Sequence, residues 1–166
     1  MTAQGKLAAI SCLQINLNHC KLAQDCVADK IKAFNNNEAS FIVCVQEPYV
    51  FRSKHARKPK SCNTYCSENN PRTAIYSSKN LVTWFIESLS TNDITVIQMK
   101  IKSRETLIVS VYLDITLKEV IPENLVAVMK YAEKKGLLYS CALTPTVIVQ
   151  ALVQMITREV KSLMTS

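Results

Sequence analysis

Residues 41–50, FIVCVQEPYV, decide how this chain folds. The first five are apolar and largely β-branched, the pattern of a strand buried on both faces. The run stops abruptly at Gln46-Glu47-Pro48. Residues 13–20, LQINLNHC, repeat the pattern nearer the N-terminus. There the apolar KLAAISCLQI (6–15) reads as a buried strand and gives way to Asn16, Asn18 and His19, side chains that no core accommodates cheaply. Two hydrophobic strands that both end in polar groups indicate a site built at the edge of a sheet.

Working outward, residues 7–16 read as a strand and 41–46 as the next. Between them, residues 21–34 place Leu22, Cys26, Val27, Lys30 and Phe34 at helical spacing, and Asn35-Asn36-Asn37 ends the helix. Residues 51–70 read as a basic, then Ser/Asn/Pro-rich loop. Strands follow at TAIYS (73–77), LVTWFIES (81–88) and DITVIQMKIKS (93–103). The last of these alternates Ile94, Val96, Gln98, Lys100 and Lys102 against Thr95, Ile97, Met99 and Ile101. TLIVSVYL (106–113) is apolar throughout and reads as a central strand. Residues 118–134 predict a second helix with Gly136 at its C-terminal cap, and GLLYSCAL (136–143) a final strand. The order is that of a mixed α/β layered domain with helices on sheet faces.

The chain has 166 residues, of which 48% are hydrophobic, enough for one domain with a real core. No apolar run is long enough to span a bilayer, and the start MTAQGKLAAI lacks the features of a secretory signal. The seven cysteines are odd in number and irregular in spacing, which predicts free thiols in a reducing, intracellular compartment. Cys62-x-x-x-Cys66 is at most half a zinc site, because no second pair follows at a suitable spacing. The net charge is +7, and FRSKHARKPKS concentrates Arg52, Lys54, Arg57, Lys58 and Lys60 with no acid among them. A local basic loop suits a polyanion such as nucleic acid; a solvated loop with no partner is the alternative.

Glu47, directly after a buried strand, offers a hard oxygen ligand suited to Mg²⁺. Asn16 can orient that carboxylate or a phosphate oxygen, and the Tyr112 phenol can donate to a phosphoryl oxygen. Three polar groups at three strand ends are the minimum of a phosphodiester site. Against this stand a solvent-facing Glu47, an Asn16 that caps a turn, and a Tyr112 that is a core ring with a wet tip.

LQINLNHCKLAQD, FIVCVQEPYV, PRTAIYSSKN and LIVSVYLD, in this order, resemble the endonuclease domain of arthropod non-LTR retrotransposons. That domain is part of the endonuclease/exonuclease/phosphatase superfamily, related to apurinic-site endonucleases. The resemblance runs from residue 7 to about 141. It implies a four-layer α/β sandwich with two facing sheets, Mg²⁺ as cofactor and DNA as partner. It also implies Asn16 as an active-site asparagine, Glu47 as metal ligand and Tyr112 as a contact to the scissile phosphate. A protein working on genomic DNA would be nuclear. A small-molecule or lipid phosphodiesterase of the same superfamily, or a nucleic-acid-binding remnant without chemistry, are the other readings.

The resemblance also requires an Asp-x-Asn element after Cys141, within Asp-Ser-Asn-Ala-His, and a later histidine. The chain instead reads ALTPTVIVQALVQMITREVKSLMTS from residue 142, with no Asp after Asp114 and no His after His55. Permissible codons for residues 142–146, with one base restored, re-read in another frame as Asp-Ser-Asn-Ala-His. The expectation is therefore a partial domain over 1–141, with its second sheet largely missing. Residues 142–166 would be an out-of-frame, possibly helical tail, and the chain would be catalytically inactive.

Overall fold

The computed structural model describes residues 10–51, 55–101, 103–113 and 122–144. Strand β1 (Ile10–Asn16) runs parallel to β2 (Ser40–Gln46), and helix α1 (Lys21–Asn36) crosses between them. A short hairpin follows, β3 (Val50–Phe51) with β4 (His55–Ala56), then β5 (Asn63–Tyr65) and β6 (Thr73–Ser77). β5 and β6 complete the first sheet in the order β1-β2-β6-β5. Strands β7 (Val82–Phe85), β8 (Ile94–Ile101) and β9 (Arg104–Tyr112) form an antiparallel meander. Helix α2 (Glu123–Lys135) then leads into β10 (Leu138–Thr144), parallel to β9, and the second sheet reads β10-β9-β8-β7.

Three apolar layers hold these elements together. Val27 and Ile31 of α1 pack on Phe41, Val43, Val45, Ala74 and Tyr76, the outer face of the first sheet. Leu125, Val128 and Ala132 of α2 cover Ile94, Val96, Leu107, Val109 and Val111, the outer face of the second. Between the sheets, Ile42, Cys44 and Ile75 meet Ile97, Met99 and Ile108. The architecture is thus a helix–sheet–sheet–helix sandwich, as the resemblance implies.

The second sheet, expected to be largely missing, is present with four strands. β8 and β9 carry apolar residues on both faces, Val96 and Val109 outward, Ile97 and Ile108 inward. Such strands cannot lie at a solvent-facing edge of the first sheet, so they build a second one over it. β1 is an edge strand rather than a buried one, and its inward Cys12, Gln14 and Asn16 are exposed.

Other expectations also need correction. α1 buries Gln24, Val27 and Ile31, whereas Leu22 and Cys26 face solvent. The stretch 51–70 holds strands β3 to β5, too short to leave a periodic signature. In α2, the helix starts at Glu123 after Pro122, and of the expected residues 118–134 the first part, 118–121, lies outside the described residues. Gly136 does cap α2: its φ of 62° is the left-handed conformation in which glycine ends a helix without a Cβ penalty. The expected helix in the tail lies outside the described residues. All seven cysteines are free.

Candidate functional site

The parallel pairing of β1 and β2 brings Asn16 into register with Gln46, so both strands end side by side. Beyond Asn16 the chain turns sharply into α1. Asn16 Oδ1 accepts the Asn18 N–H at 2.8 Å, an Asx turn, and Asn18 and His19 take left-handed φ angles of 46° and 53°. His19 N–H then donates to the Glu47 carbonyl at 2.9 Å, which locks the turn to the end of β2.

Glu47 itself has φ of 47°, a left-handed conformation that a non-glycine residue adopts at a cost. Its peptide is held from both sides, by His19 N–H on its carbonyl and by its own N–H on the Arg72 carbonyl at 2.8 Å. The carboxylate is mostly shielded, 18% exposed, and Oε1 lies 3.8 Å from His19 Nε2. The His19 Nδ1 contacts the Pro48 carbonyl at 3.0 Å. A carbonyl only accepts, so Nδ1 carries the proton and Nε2 turns toward Glu47.

Tyr112 ends β9 at the same end of the sandwich. The ends coincide because Gln46 Nε2 donates to Ser110 Oγ at 3.3 Å and to the Ala142 carbonyl at 3.2 Å, while Ser110 Oγ donates to the Val45 carbonyl at 3.1 Å. Thr73 and Thr95 hydroxyls meet across the same gap at 2.8 Å. The inter-sheet layer therefore changes from apolar in its middle to polar at the site end. Buried within it, Gln46 Oε1 has no hydrogen-bond partner among the described residues.

Arg72 joins the two sheets at this end. Its carbonyl holds Glu47, its Nη2 donates to Asp93 Oδ2 at 2.7 Å, and its guanidinium lies 4.7 Å from the centroid of the Tyr112 ring. The Asp93 carbonyl in turn accepts the Tyr112 N–H at 2.8 Å. Asn16 and Glu47 thus stand at adjacent strand ends, and Tyr112 is tied to Glu47 through one residue. Asn16 does cap a turn, so the structural role and any role toward a phosphate fall on the same side chain.

Of the basic loop, Arg57 forms an ion pair with Asp25 of α1, and Lys58 and Lys60 are exposed beside it. Arg52 and Lys54 lie outside the described residues. The charge concentration read from the sequence is therefore partly neutralised by an acid from another element.

His19 and Gln46 were legible as polar strand ends, though without a role, whereas sequence reading missed Arg72 and Asp93 as members of this end of the sandwich. Arg72 lies within PRTAIYSSKN, one of the stretches that carry the resemblance, so the sequence did carry a signal for it. Asp93 had none, since only the fold brings residues 72 and 93 together.

The second parallel pair, β9 and β10, ends here as well. Ala142 stands beside Ser110 and Thr144 beside Tyr112 in the ladder. β10 therefore passes through the point where the sequence was expected to leave the domain. If the expected Asp-x-Asn element followed Cys141 directly, its two positions would fall on Ala142 and Thr144.

Two facing mixed sheets with a helix on each outer face, and polar strand ends gathered at one edge, define an α/β sandwich of the endonuclease-domain type. The chain is similar in structure to the endonuclease domain of TRAS1, a telomere-specific non-LTR retrotransposon, with a TM-score of 0.56 and 25% sequence identity. The match covers 78% of this chain and 57% of that one, so the chain spans little more than half of that neighbour's length. No family model and no curated protein matches the sequence. Among the described residues, no helix is long and apolar enough to cross a membrane.

Proposed function

We propose that this chain is a retrotransposon-type endonuclease domain that binds DNA and retains half of a Mg²⁺-dependent phosphodiester site, without appreciable cleavage. The observation that supports this most is the Asn16–Glu47 strand-end pair, linked through Arg72 to Tyr112. The strained backbone at Glu47 is held by two hydrogen bonds, the kind of preorganisation that functional residues show.

The donor set fits Mg²⁺, though sparsely. The described residues contain no cluster of three or more His, Cys, Asp or Glu that could cage a metal. Mg²⁺ tolerates one or two carboxylates completed by waters and substrate phosphate, and Glu47 supplies one such carboxylate. Bound there, the ion would draw charge from a phosphoryl oxygen. The chain's own groups would position the substrate: the Tyr112 phenol as donor to a phosphate oxygen, with its ring backed by Arg72, and the Asn16 amide beside the carboxylate.

The reading of inactivity rests on Ala142 and Thr144, neither of which can serve as a base toward water, and on the absence of any histidine after His55. A missing general base costs about 10²–10⁴ in rate. A frame shift after Cys141 would account for these residues, and the coding DNA tests it: the shifted frame should spell Asp-Ser-Asn-Ala-His. At the protein level, purified chain is incubated with supercoiled plasmid and Mg²⁺ beside Glu47→Ala, with a mobility-shift assay in parallel. The expected result is a shifted band without nicking in either protein. Robust nicking that disappears in Glu47→Ala would overturn the inactivity, and no shift with any DNA would overturn the reading as a whole.

A further inference from the structure

A second feature lies just past Glu47, on the β3–β4 hairpin. Phe51 and His55 are directly opposed in its two-residue ladder, as are Val50 and Ala56. Successive residues of a strand point to opposite faces, so the hairpin has an inward and an outward side. Ala56 is buried, whereas Phe51 is 57% exposed and His55 is exposed beside it. Two flat rings therefore stand together on the outward face.

These rings border a cavity of about 400 Å³, lined by Lys21, Tyr49, Phe51, His55, Ala56 and Arg57. Three aromatic or imidazole rings share that lining with two cations. Several hydrogen bonds hold the described residues around them. Arg57 N–H donates to the Tyr49 carbonyl at 3.0 Å, and Tyr49 N–H reaches the buried Gln24 Oε1 at 3.4 Å. The Arg57 side chain is held by Asp25, and the His55 Nδ1 by the Glu68 carbonyl at 3.0 Å. Of the other exposed apolar side chains, Leu22, Val82 and Leu138 carry no aromatic ring and Trp84 lies on β7 away from this cavity; Phe51 is distinguished by sharing a cavity lining with two further rings and with Lys21 and Arg57.

Flat rings with sequence-independent faces, bordered by Lys and Arg, are the composition that holds unpaired bases: stacking takes the base, and the cations take the flanking phosphates. A protein partner would bring an apolar surface, for which this cation-rimmed cavity is poorly matched. We infer that the hairpin cavity is a stacking site for an unpaired nucleobase, with Phe51 as the platform and Lys21 on a flanking backbone phosphate, while Arg57 is held by Asp25. This rests on the proposed DNA-binding function and adds a substrate preference to it: nucleic acid with an unstacked base next to the phosphate held near Glu47. Tyr49 is two residues from Glu47, and Lys21 two residues from His19, so base and phosphate would lie on one continuous strand.

The test uses the full chain and a labelled single-stranded oligodeoxynucleotide, with an equally long abasic oligonucleotide and a duplex as comparison probes, read by fluorescence anisotropy across a salt series. Phe51→Ala should weaken binding to the single strand about tenfold, the loss of one base–aromatic stack. It should leave the abasic probe unaffected and the salt slope unchanged, because no charge is removed. Phe51→Tyr should bind as the parent does. Lys21→Gln should weaken all three probes and lower the salt slope. If the parent binds DNA and Phe51→Ala binds the single strand equally well, the stacking site is overturned while the DNA-binding reading stands. If the parent binds none of the three probes, the DNA-binding reading falls and the stacking site with it.

Discussion

The sandwich contains two strand–helix–strand units, β1–α1–β2 and β9–α2–β10, and they end differently. Each supplies a parallel pair at the same edge of its sheet, and each helix covers its own sheet from outside. The first unit ends in Asn16, Gln46 and Glu47, locked by a left-handed turn and a strained but doubly hydrogen-bonded backbone at Glu47. The second ends in Tyr112, Ala142 and Thr144. The same topology thus carries the proposed metal ligand and its locked turn on one side, and on the other only Tyr112 as a proposed contact. Packing and chemistry are separable here: α2 and β10 fold onto the sheet without the polar groups that the matching positions of the first unit display.

If the two units are equivalent in packing, removing one anchor from each helix should cost a similar amount. Ile31 and Leu125 are both fully buried under their helices. Ile31→Ala and Leu125→Ala are each expected to lose about 2–5 kcal/mol, measured by urea unfolding. A much smaller loss for Leu125→Ala would mean that the second unit is only loosely docked.

A polar anchor separates the units more sharply. Gln24 is buried in α1, where Nε2 donates to the Tyr76 hydroxyl at 3.1 Å and Oε1 accepts from Tyr49. α2 buries only apolar side chains. Gln24→Ala should cost about 1–3 kcal/mol, because the Tyr76 hydroxyl loses its partner inside the core. It should also loosen the β3–β4 hairpin, which amide hydrogen exchange at Tyr49 would report.

Much of this was legible in the chain. β2 and β6 announced themselves as short apolar runs bounded by polar residues, and Gly136 marked the end of α2. Asn16, Glu47 and Tyr112 were reached from strand ends and from a resemblance spread over four stretches. The second sheet was not legible. Its strands β7 to β9 were each recognised, but nothing in their periodicity says whether they extend one sheet or close another. That choice follows from Ile97 and Ile108 needing cover on the face opposite to Val96 and Val109. The edge position of β1 was hidden for a related reason, since Leu13 and Ile15 are apolar whether a strand is central or flanked on one side. The Arg72–Asp93 link depends on a contact that no local pattern encodes.

Alkaline pH should act on both units. Burial pushes the Cys44 thiol up to about 12, with Cys12 and Cys141 adding to it, and burial pushes Cys141 up to about 11, against an ordinary value of 9.0. Both groups hold their protons more tightly in the folded chain. Their contribution is therefore complete below about pH 9 and lost as pH rises toward 11–12. Unfolding midpoints measured from pH 8 to 11 in reductant should fall through this window, and Cys44→Ser should not be compared without allowing for its own cost in the core.

The smallest effect is in thiol labelling under native conditions. Cys12, Cys20 and Cys26 of the first unit are exposed and should react quickly, while Cys44 and Cys141 should be protected. Fast labelling of Cys141 would show that β10 opens readily, and the ladder beside Ser110 and Tyr112 would then be weaker than the ladder beside Gln46.

The difference between the two strand ends is tested most directly by giving the second what the first already has. The double variant Ala142→Asp/Thr144→Asn is assayed on supercoiled plasmid with Mg²⁺ beside the parent chain and a triple variant that also carries Glu47→Ala. The account predicts no nicking by the parent, slow nicking by the double variant, which still lacks the later histidine, raised about 10²-fold over background by the restored base, and loss of that gain in the triple variant. Nicking by the parent at a rate equal to that of the double variant, or a folded double variant that stays at background, would contradict it.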